Sequence, residues 1–254
     1  MRMTVLFLSL VTMCYIFPVQ ALAIINAEDL DLSMDDNGVA GKMDFSVSGS
    51  SGNSDKMSSE ASGHLIWRHA QHLEMLAASI NYGKSSGVRD TNKSFVHFRH
   101  RYAWNEMWGL EAFTQAQQNE FAHLKLRTLF GAGGRWSYQS HGLSMHVGVG
   151  SFYEREVLRV VANIAPVTRL WRGNAYLALG YAFDERIRIQ NTIYYQPAWK
   201  NPGDYRLLND TALNVALNDR LDLKLVIEAA QDSQPPAGVN KSDVSYKTGL
   251  SFRF

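Results

Sequence analysis

The sequence predicts an all-β fold, a closed antiparallel up-and-down transmembrane β-barrel of about twelve strands, and three observations carry that expectation. Apolar and polar residues alternate with period two along most of the chain, the connections alternate between short and long, and bulky aromatics collect at strand ends on the apolar face. A helix repeats every 3.6 residues and would smear both faces. The 254 residues carry 25 Lys plus Arg against 24 Asp plus Glu, a formal charge of +1, so no positive excess points to nucleic acid. With 6 Trp, 11 Tyr and 12 Phe the chain is too aromatic for disorder. After the leader, no unbroken apolar run is long enough for a membrane-spanning helix.

Residues 1–23 read as a signal peptide. Arg2 gives the positive start, Met3 to Phe17 the apolar run, and Ala21-Leu22-Ala23 the small residues that a signal peptidase needs, which predicts cleavage after Ala23. The single Cys, Cys14, lies within that run and follows Met13, which is too large for a lipoprotein signal. The exported chain then has no Cys, which removes disulfides, thiolate catalysis and Cys-based metal sites together. Residues 24–41, with Glu28, Asp29, Asp31, Asp35 and Asp36 and no basic residue, read as an acidic periplasmic tail. The barrel is expected over 42–254.

Strands are expected at 42–50, 58–68, 72–83, 93–104, 107–116, 120–136, 141–154, 173–183, 186–197, 205–217, 220–231 and 243–254. The last is the clearest: Val244, Tyr246, Thr248, Leu250, Phe252 and Phe254 share one face, while Asp243, Ser245, Lys247, Gly249, Ser251 and Arg253 share the other. Short links fall at 69–71, 105–106, 137–140, 184–185 and 218–219. Longer ones fall at 51–57, 84–92, 155–172, 198–204 and 232–242, with 117–119 the one short link on that side. Such an alternation is the outer-membrane barrel arrangement, with short periplasmic turns. Backbone groups in hydrocarbon must all be paired, so the first strand must pair with the last. Gly131, Gly133, Gly134, Gly148 and Gly150 are placed to relieve crowding in the wall.

A soluble β-sandwich also alternates, and two residue sets weigh against it. Arg99, Arg101, Glu111, Lys125, Arg127, Arg135, Arg188, Lys224, Glu228, Lys247 and Arg253 form a polar face of mixed sign, suited to a lumen. Trp67, Tyr82, Tyr102, Trp104, Trp108, Trp136, Tyr153, Tyr181, Phe183, Phe252 and Phe254 bunch at strand ends, as interfacial girdles do. Outer-membrane lipids are thereby an expected partner.

Ser51-Gly52-Asn53-Ser54-Asp55 resembles the S-G-N-[ST]-D signature of the YdiY-like salt-induced outer-membrane protein family, a bacterial group whose defining domain has unknown function. Gly131-Ala132-Gly133-Gly134 is similar to its glycine-rich stretch. Asp204-Tyr205-Arg206, Leu217-Asn218-Asp219-Arg220-Leu221 and Pro235-Pro236-Ala237-Gly238 resemble its later landmarks in order. The resemblance implies a barrel in the bacterial outer membrane and supplies no catalytic residues. One departure is the segment from Glu156 to Arg172, where Val157, Val160, Val161 and Ile164 allow an extra strand, a helix or an inward loop. Tyr246, Phe252 and Phe254 look like the C-terminal signal that the barrel-assembly machinery reads.

Two functional readings stand open. One is a passive channel or an envelope-integrity component responding to stress such as salt, with the charged set lining the lumen. The other is a lipid hydrolase or deacylase in which His146 activates Ser144, two residues away on the same face. The hydrolase reading lacks an orienting third group. Eight histidines (His64, His69, His72, His97, His100, His123, His141, His146) show no ligand spacing, so no metal and no cofactor are expected.

Overall fold

The computed structural model describes residues 37–50, 56–159 and 166–254. The expected signal peptide, the acidic stretch up to Asp36 and the Ser51–Asp55 motif lie outside the described residues. Twelve strands follow in chain order: β1 (Gly38–Ser50), β2 (Lys56–His69), β3 (His72–Ser85), β4 (Val88–Ala103), β5 (Trp108–Asn119), β6 (Leu124–Ser140), β7 (Leu143–Leu158), β8 (Val167–Ala182), β9 (Ile187–Pro197), β10 (Tyr205–Ala216), β11 (Leu221–Asp232) and β12 (Ser242–Arg253). Each pairs antiparallel with its neighbour in sequence, and β1 pairs with β12, so the sheet closes and no edge remains.

The seam is short: four residue pairs, from Lys42↔Arg253 to Phe45↔Leu250, register β1 on β12. Gly41 and Phe254 extend it by exchanging both backbone hydrogen bonds, at 2.9 and 3.0 Å. The Phe254 ring lies over Gly41, where a Cβ would come within 2.3 Å of it, so an aromatic covers the bare backbone at the joint.

Burial is inverted relative to a water-soluble protein. On β12, Tyr246 is 79% exposed and Val244 and Leu250 also face out, whereas Ser251 is fully buried and Asp243 nearly so. The same holds on β6, where Phe130 faces out beside inward, buried Arg127 and Leu129. A second packed sheet would bury the apolar row. Here it faces outward around a closed barrel, which hydrocarbon stabilises and water does not.

Three short turns share one device. Asn105, Asp184 and Asn218 each precede the next strand by three residues, and each side-chain Oδ1 accepts two backbone N–H bonds. These come from Met107 and Trp108, from Arg186 and Ile187, and from Arg220 and Leu221, at 2.7 to 3.0 Å. The other two short turns are two-residue hairpins, Ala70-Gln71 and His141-Gly142. The latter has positive φ at both positions, which matches the strand twist.

Four expectations need correction. The long link at 84–92 is instead a two-residue turn, Ser86-Gly87, with φ of 50° and 77°; Ser-Gly tolerates that geometry and lets β3 and β4 pair out to Ser85↔Val88. Within 155–172, β7 runs on to Leu158 and β8 starts at Val167, pairing Val157 with Val167. Residues 160–165 lie outside the described residues. Strand 1 starts at Gly38 rather than 42, because Gly38 to Gly41 find partners in Arg68 to Leu65. Finally, β6 starts at Leu124, and its register slips between Leu124 and Leu126.

Candidate functional site

That slip decides where Lys125 goes. An extra residue in one strand leaves the ladder, so Lys125 is exposed while Leu124 and Arg127 are both buried. The expectation that Lys125 lines the lumen is therefore corrected. The other members of the charged set sit on inward positions and divide among three places in the lumen.

The first is a lower network toward the short-turn end, on β4, β5, β6 and β8. Glu111 accepts from Arg101 Nε at 2.8 Å and from the Tyr176 hydroxyl at 2.8 Å, and lies 3.7 Å from both Arg99 and Arg135. Arg135 Nη1 also donates to the Tyr176 hydroxyl at 3.0 Å. Tyr176 can lie flat there because Gly148 faces it: a Cβ at 148 would meet the ring at 2.0 Å.

The second is an upper network toward the long-loop end, centred on Glu154, which is 1% exposed. Glu154 accepts from Arg127 Nε at 2.6 Å, Arg206 Nη1 at 2.5 Å and Arg172 Nε at 3.2 Å. Arg206 also pairs with Glu156 and Asp232, each at 2.9 Å, and Arg172 with Asp204 at 2.9 Å. Three guanidiniums converging on one buried carboxylate satisfy charges that the bilayer core would otherwise penalise heavily. Of this network only Arg127 is legible as a site residue in the sequence. Glu154 falls beside and Arg172 within the stretch 155–172 read as a loop, and Arg206 lies on a strand whose inward face also carries apolar Leu208.

Between the networks the inward face is mainly apolar, with Phe113, Leu129, Phe152, Tyr176, Tyr194, Leu208 and Ala230 buried across β5 to β11 and His97, Gln115 and Asn174 buried among them. Phe113 meets Phe152 edge-on at 6.2 Å, and Tyr176 lies 5.4 Å from Tyr194. Gly131 makes room for the first pair, since a Cβ there would stand 2.5 Å from Phe152. That side of the lumen is filled.

The third place is the opposite wall, on β11, β12 and β1 to β3, where inward residues are small: Ser46, Ser62, Ala77 and Ser79. A chamber of about 140 Å³ runs along it. It is lined by Asp44, Glu60, Asp210 and Glu228 together with Lys224 and Lys247. Lys247 Nζ donates to Glu60 at 3.2 Å and Asn81 Nδ2 to Glu60 at 3.0 Å. Toward the long-loop mouth lies a cavity of about 630 Å³ that shares Glu60, Glu228 and Lys247 and adds Asp90, Lys93 and Asp243. At the short-turn mouth a cavity of about 660 Å³ is walled by Arg68, Arg101 and Arg135 with Glu106.

One layer of side chains parts the chamber from the short-turn cavity. Ile66 and Met75 face the short-turn cavity and the next inward residues on their strands, His64 and Ala77, face the chamber, while across the lumen Thr192 faces the first and its direct partner Asp210 the second. Ile66 and Met75 are each 2% exposed and are direct partners across β2 and β3. Successive inward residues stand about 6.6 Å apart, so this septum is one residue thick.

Arg253 pairs with Asp222 at 2.9 Å near the short-turn rim, and Arg188 is half-buried on β9. The expected girdle residues all lie on the outward face. Trp67, Tyr102, Trp104, Trp108, Trp136, Tyr181, Phe183, Phe252 and Phe254 stand toward the short-turn end, and Tyr82 and Tyr153 toward the long-loop end. Trp171 and Trp199, which the sequence reading missed, join Tyr153, with Trp171 5.6 Å from its ring and the Trp199 N–H bonded to Trp171 O. Tyr246 also faces outward.

Ser144 and His146 both line the short-turn cavity, yet they do not pair. His146 Nδ1 bonds Ser137 Oγ at 3.0 Å, its directly opposite residue on β6, and Ser144 Oγ reaches Gly180 O at 3.5 Å. Residues two apart on a strand are farther from each other than directly paired residues on neighbouring strands. Of the histidines, His97 bonds Gln115 at 3.1 Å, while His69 and His100 both pair with Glu74, at 3.2 and 3.1 Å, on the outer face. Among the described residues no group of three or more His, Cys, Asp or Glu has an arrangement that could hold a metal ion.

Residues 43–254 match the family model described as "Protein of unknown function, DUF481". No curated protein matches the chain. Among solved structures, the NanC porin is similar at a TM-score of 0.52 and 11% identity, covering 84% of this chain and 98% of that one. The KdgM porin is similar at a TM-score of 0.50 and 12% identity, covering 85% and 99%. At such identities the likeness is one of fold: a barrel resembling those of bacterial outer-membrane proteins.

Proposed function

The chain belongs to the DUF481 family, and from that premise we propose that it is a bacterial outer-membrane barrel acting as a narrow, gated channel for small solutes rather than as an enzyme. The observation that carries the reading is the alignment of the two mouth cavities, about 660 and 630 Å³, with the chamber between them along the small-residue wall and Ile66 and Met75 standing between chamber and short-turn cavity. A barrel serving only to strengthen the envelope has no need of polar cavities aligned along one wall. An apolar constriction one residue thick closes a pore by excluding water, and small displacements or a smaller side chain reopen it. Export by a signal peptide cleaved after Ala23, lipid contact through the aromatic girdles, and recognition by the assembly machinery through Tyr246, Phe252 and Phe254 belong to the same proposal. It needs no cofactor.

The test is single-channel recording in planar bilayers from purified, heat-modifiable barrel. The wild type is expected to give rare, small steps, and Met75→Ala, alone or with Ile66→Ala, frequent and larger ones. Absence of current from all three, with folding verified by gel migration, overturns the channel reading and favours a static envelope component.

A further inference from the structure

The lumen segregates its charges in a way that sets what passes. Every inward arginine of the two networks is committed to a carboxylate on the filled side: Arg99, Arg101 and Arg135 to Glu111, and Arg127, Arg172 and Arg206 to Glu154. The upper network balances its three guanidiniums with Glu154, Glu156, Asp204 and Asp232, whereas the lower one sets three against Glu111 alone and stays net positive beside the short-turn cavity. The track itself, taken as the chamber plus the long-loop cavity, is lined by six carboxylates against three lysines. The short-turn cavity has the opposite balance, three arginines against one glutamate.

Resting on the channel reading above, we propose that the conduit is selective for small cations, and that Asp44, Glu60, Asp210 and Glu228 in the chamber are the filter. The two mouths oppose each other in sign, so the narrowest section decides. Coulomb energy rises as the ion approaches the wall, and a low-dielectric surround focuses the field. The chamber holds four carboxylates and two ammonium groups in about 140 Å³. A mouth cavity more than four times larger keeps its charges farther from a passing ion. At about 30 Å³ per water, the chamber admits an inorganic cation or a small ammonium ion with a few waters and excludes sugars. The basic short-turn mouth then makes the pore asymmetric, so current depends on the sign of the applied voltage.

Reversal potentials in a KCl gradient test this, measured on Met75→Ala as the opened form. Potentials of several kT predict a K⁺ to Cl⁻ permeability ratio of about 5 or more. Glu60→Gln and Glu228→Gln on that background are expected to bring the ratio toward unity, each variant serving where the other fails to fold, and Glu228→Lys to push it further toward chloride. Current with no cation preference, or a preference untouched by both glutamine variants, overturns the inference while leaving the channel standing. Absence of current from wild type and opened form alike overturns the channel reading, and this inference with it.

Discussion

Replacing Glu154 with Gln probes the upper network most sharply. The substitution preserves shape and removes one charge at the point where three guanidiniums meet. Arg206 keeps Glu156 and Asp232, and Arg172 keeps Asp204. Arg127 loses most: it is fully buried, Glu154 is the one carboxylate in ion-pair contact with it among the described residues, and only the more distant charge of Glu156 is left to it. Stranding a buried charge by removing its partner costs about 3–5 kcal/mol. With a urea slope at the upper end for a chain of this size, about 3 kcal/mol per M, the unfolding midpoint should fall by about 1 to 2 M. The assay is urea unfolding of the barrel in liposomes, read by heat-modifiable migration and tryptophan emission.

Two companion variants separate a stranded charge from a general loss of packing. Glu156→Gln leaves Arg206 with two carboxylates and should cost less than half as much. Arg127→Met combined with Glu154→Leu removes both members of the dependent pair, and apolar replacement of a whole buried pair is often neutral or stabilising, so most of the loss should be recovered. A midpoint for Glu154→Gln indistinguishable from wild type, or a double variant weaker than the single one, would refute the reasoning.

Three further outcomes are expected. Gly148→Ala should push the Tyr176 ring from its seat, breaking its bonds to Glu111 and Arg135, and overpacking of this kind costs about 1–3 kcal/mol by the same unfolding assay. Phe254→Ala should uncover Gly41 and weaken the seam by about 1 kcal/mol, visible as faster amide exchange in β1 and β12 with β6 and β7 unchanged. In the turn between β5 and β6, hydrogen bonding from Asn92 first, and then the charges of Arg89 and Arg159, hold the Glu120 carboxyl below its ordinary value of 4.5. A lowered folded-state pKa stabilises above the unfolded value and is lost as pH falls through the folded one. Amide exchange at 89–92 should therefore be faster in Glu120→Gln than in wild type at pH 7, with the difference vanishing well below pH 4.5.

How much of this was legible depended on whether a residue's neighbours kept the alternation. On β12 the pattern is unbroken, and Lys247 and Arg253 point inward while Tyr246 and Phe252 point outward, as read. On β6 the bulge at Lys125 adds a residue that no composition rule marks, so parity before it is inverted relative to parity after it. The inner belt was illegible for a different reason. Phe113, Phe152 and Tyr176 are apolar residues on the polar face, and a period-two reading takes them as breaks rather than as filling. Glu154 failed by position, at the margin of a stretch read as loop. The turn at Ser86-Gly87 carried a usable signal, Ser-Gly between two alternating runs, that the expectation of a long loop overrode.

The glycines tie these misses together. A twelve-stranded wall encloses more space than one layer of side chains from a single side can fill, so the lumen must be either flooded or occupied unevenly. Gly131 and Gly148 let Phe152 and Tyr176 lie close against the wall across from them, which packs the β5–β11 side tightly and brings Tyr176 within reach of Glu111. The aromatic layer gives the two arginine networks a dry floor and ceiling, and ion pairs between them are correspondingly strong. The serine- and alanine-lined wall opposite is then left with a track whose own carboxylates outnumber its lysines. A Cβ at 148 would drive the Tyr176 ring off the wall, toward the lumen axis and that track. On this account Gly148→Ala should narrow the pore as well as weaken the barrel, and in the Met75→Ala background its unitary conductance should fall. A destabilised barrel with undiminished conductance would show that the filled side and the open side are independent, and would break the link between them.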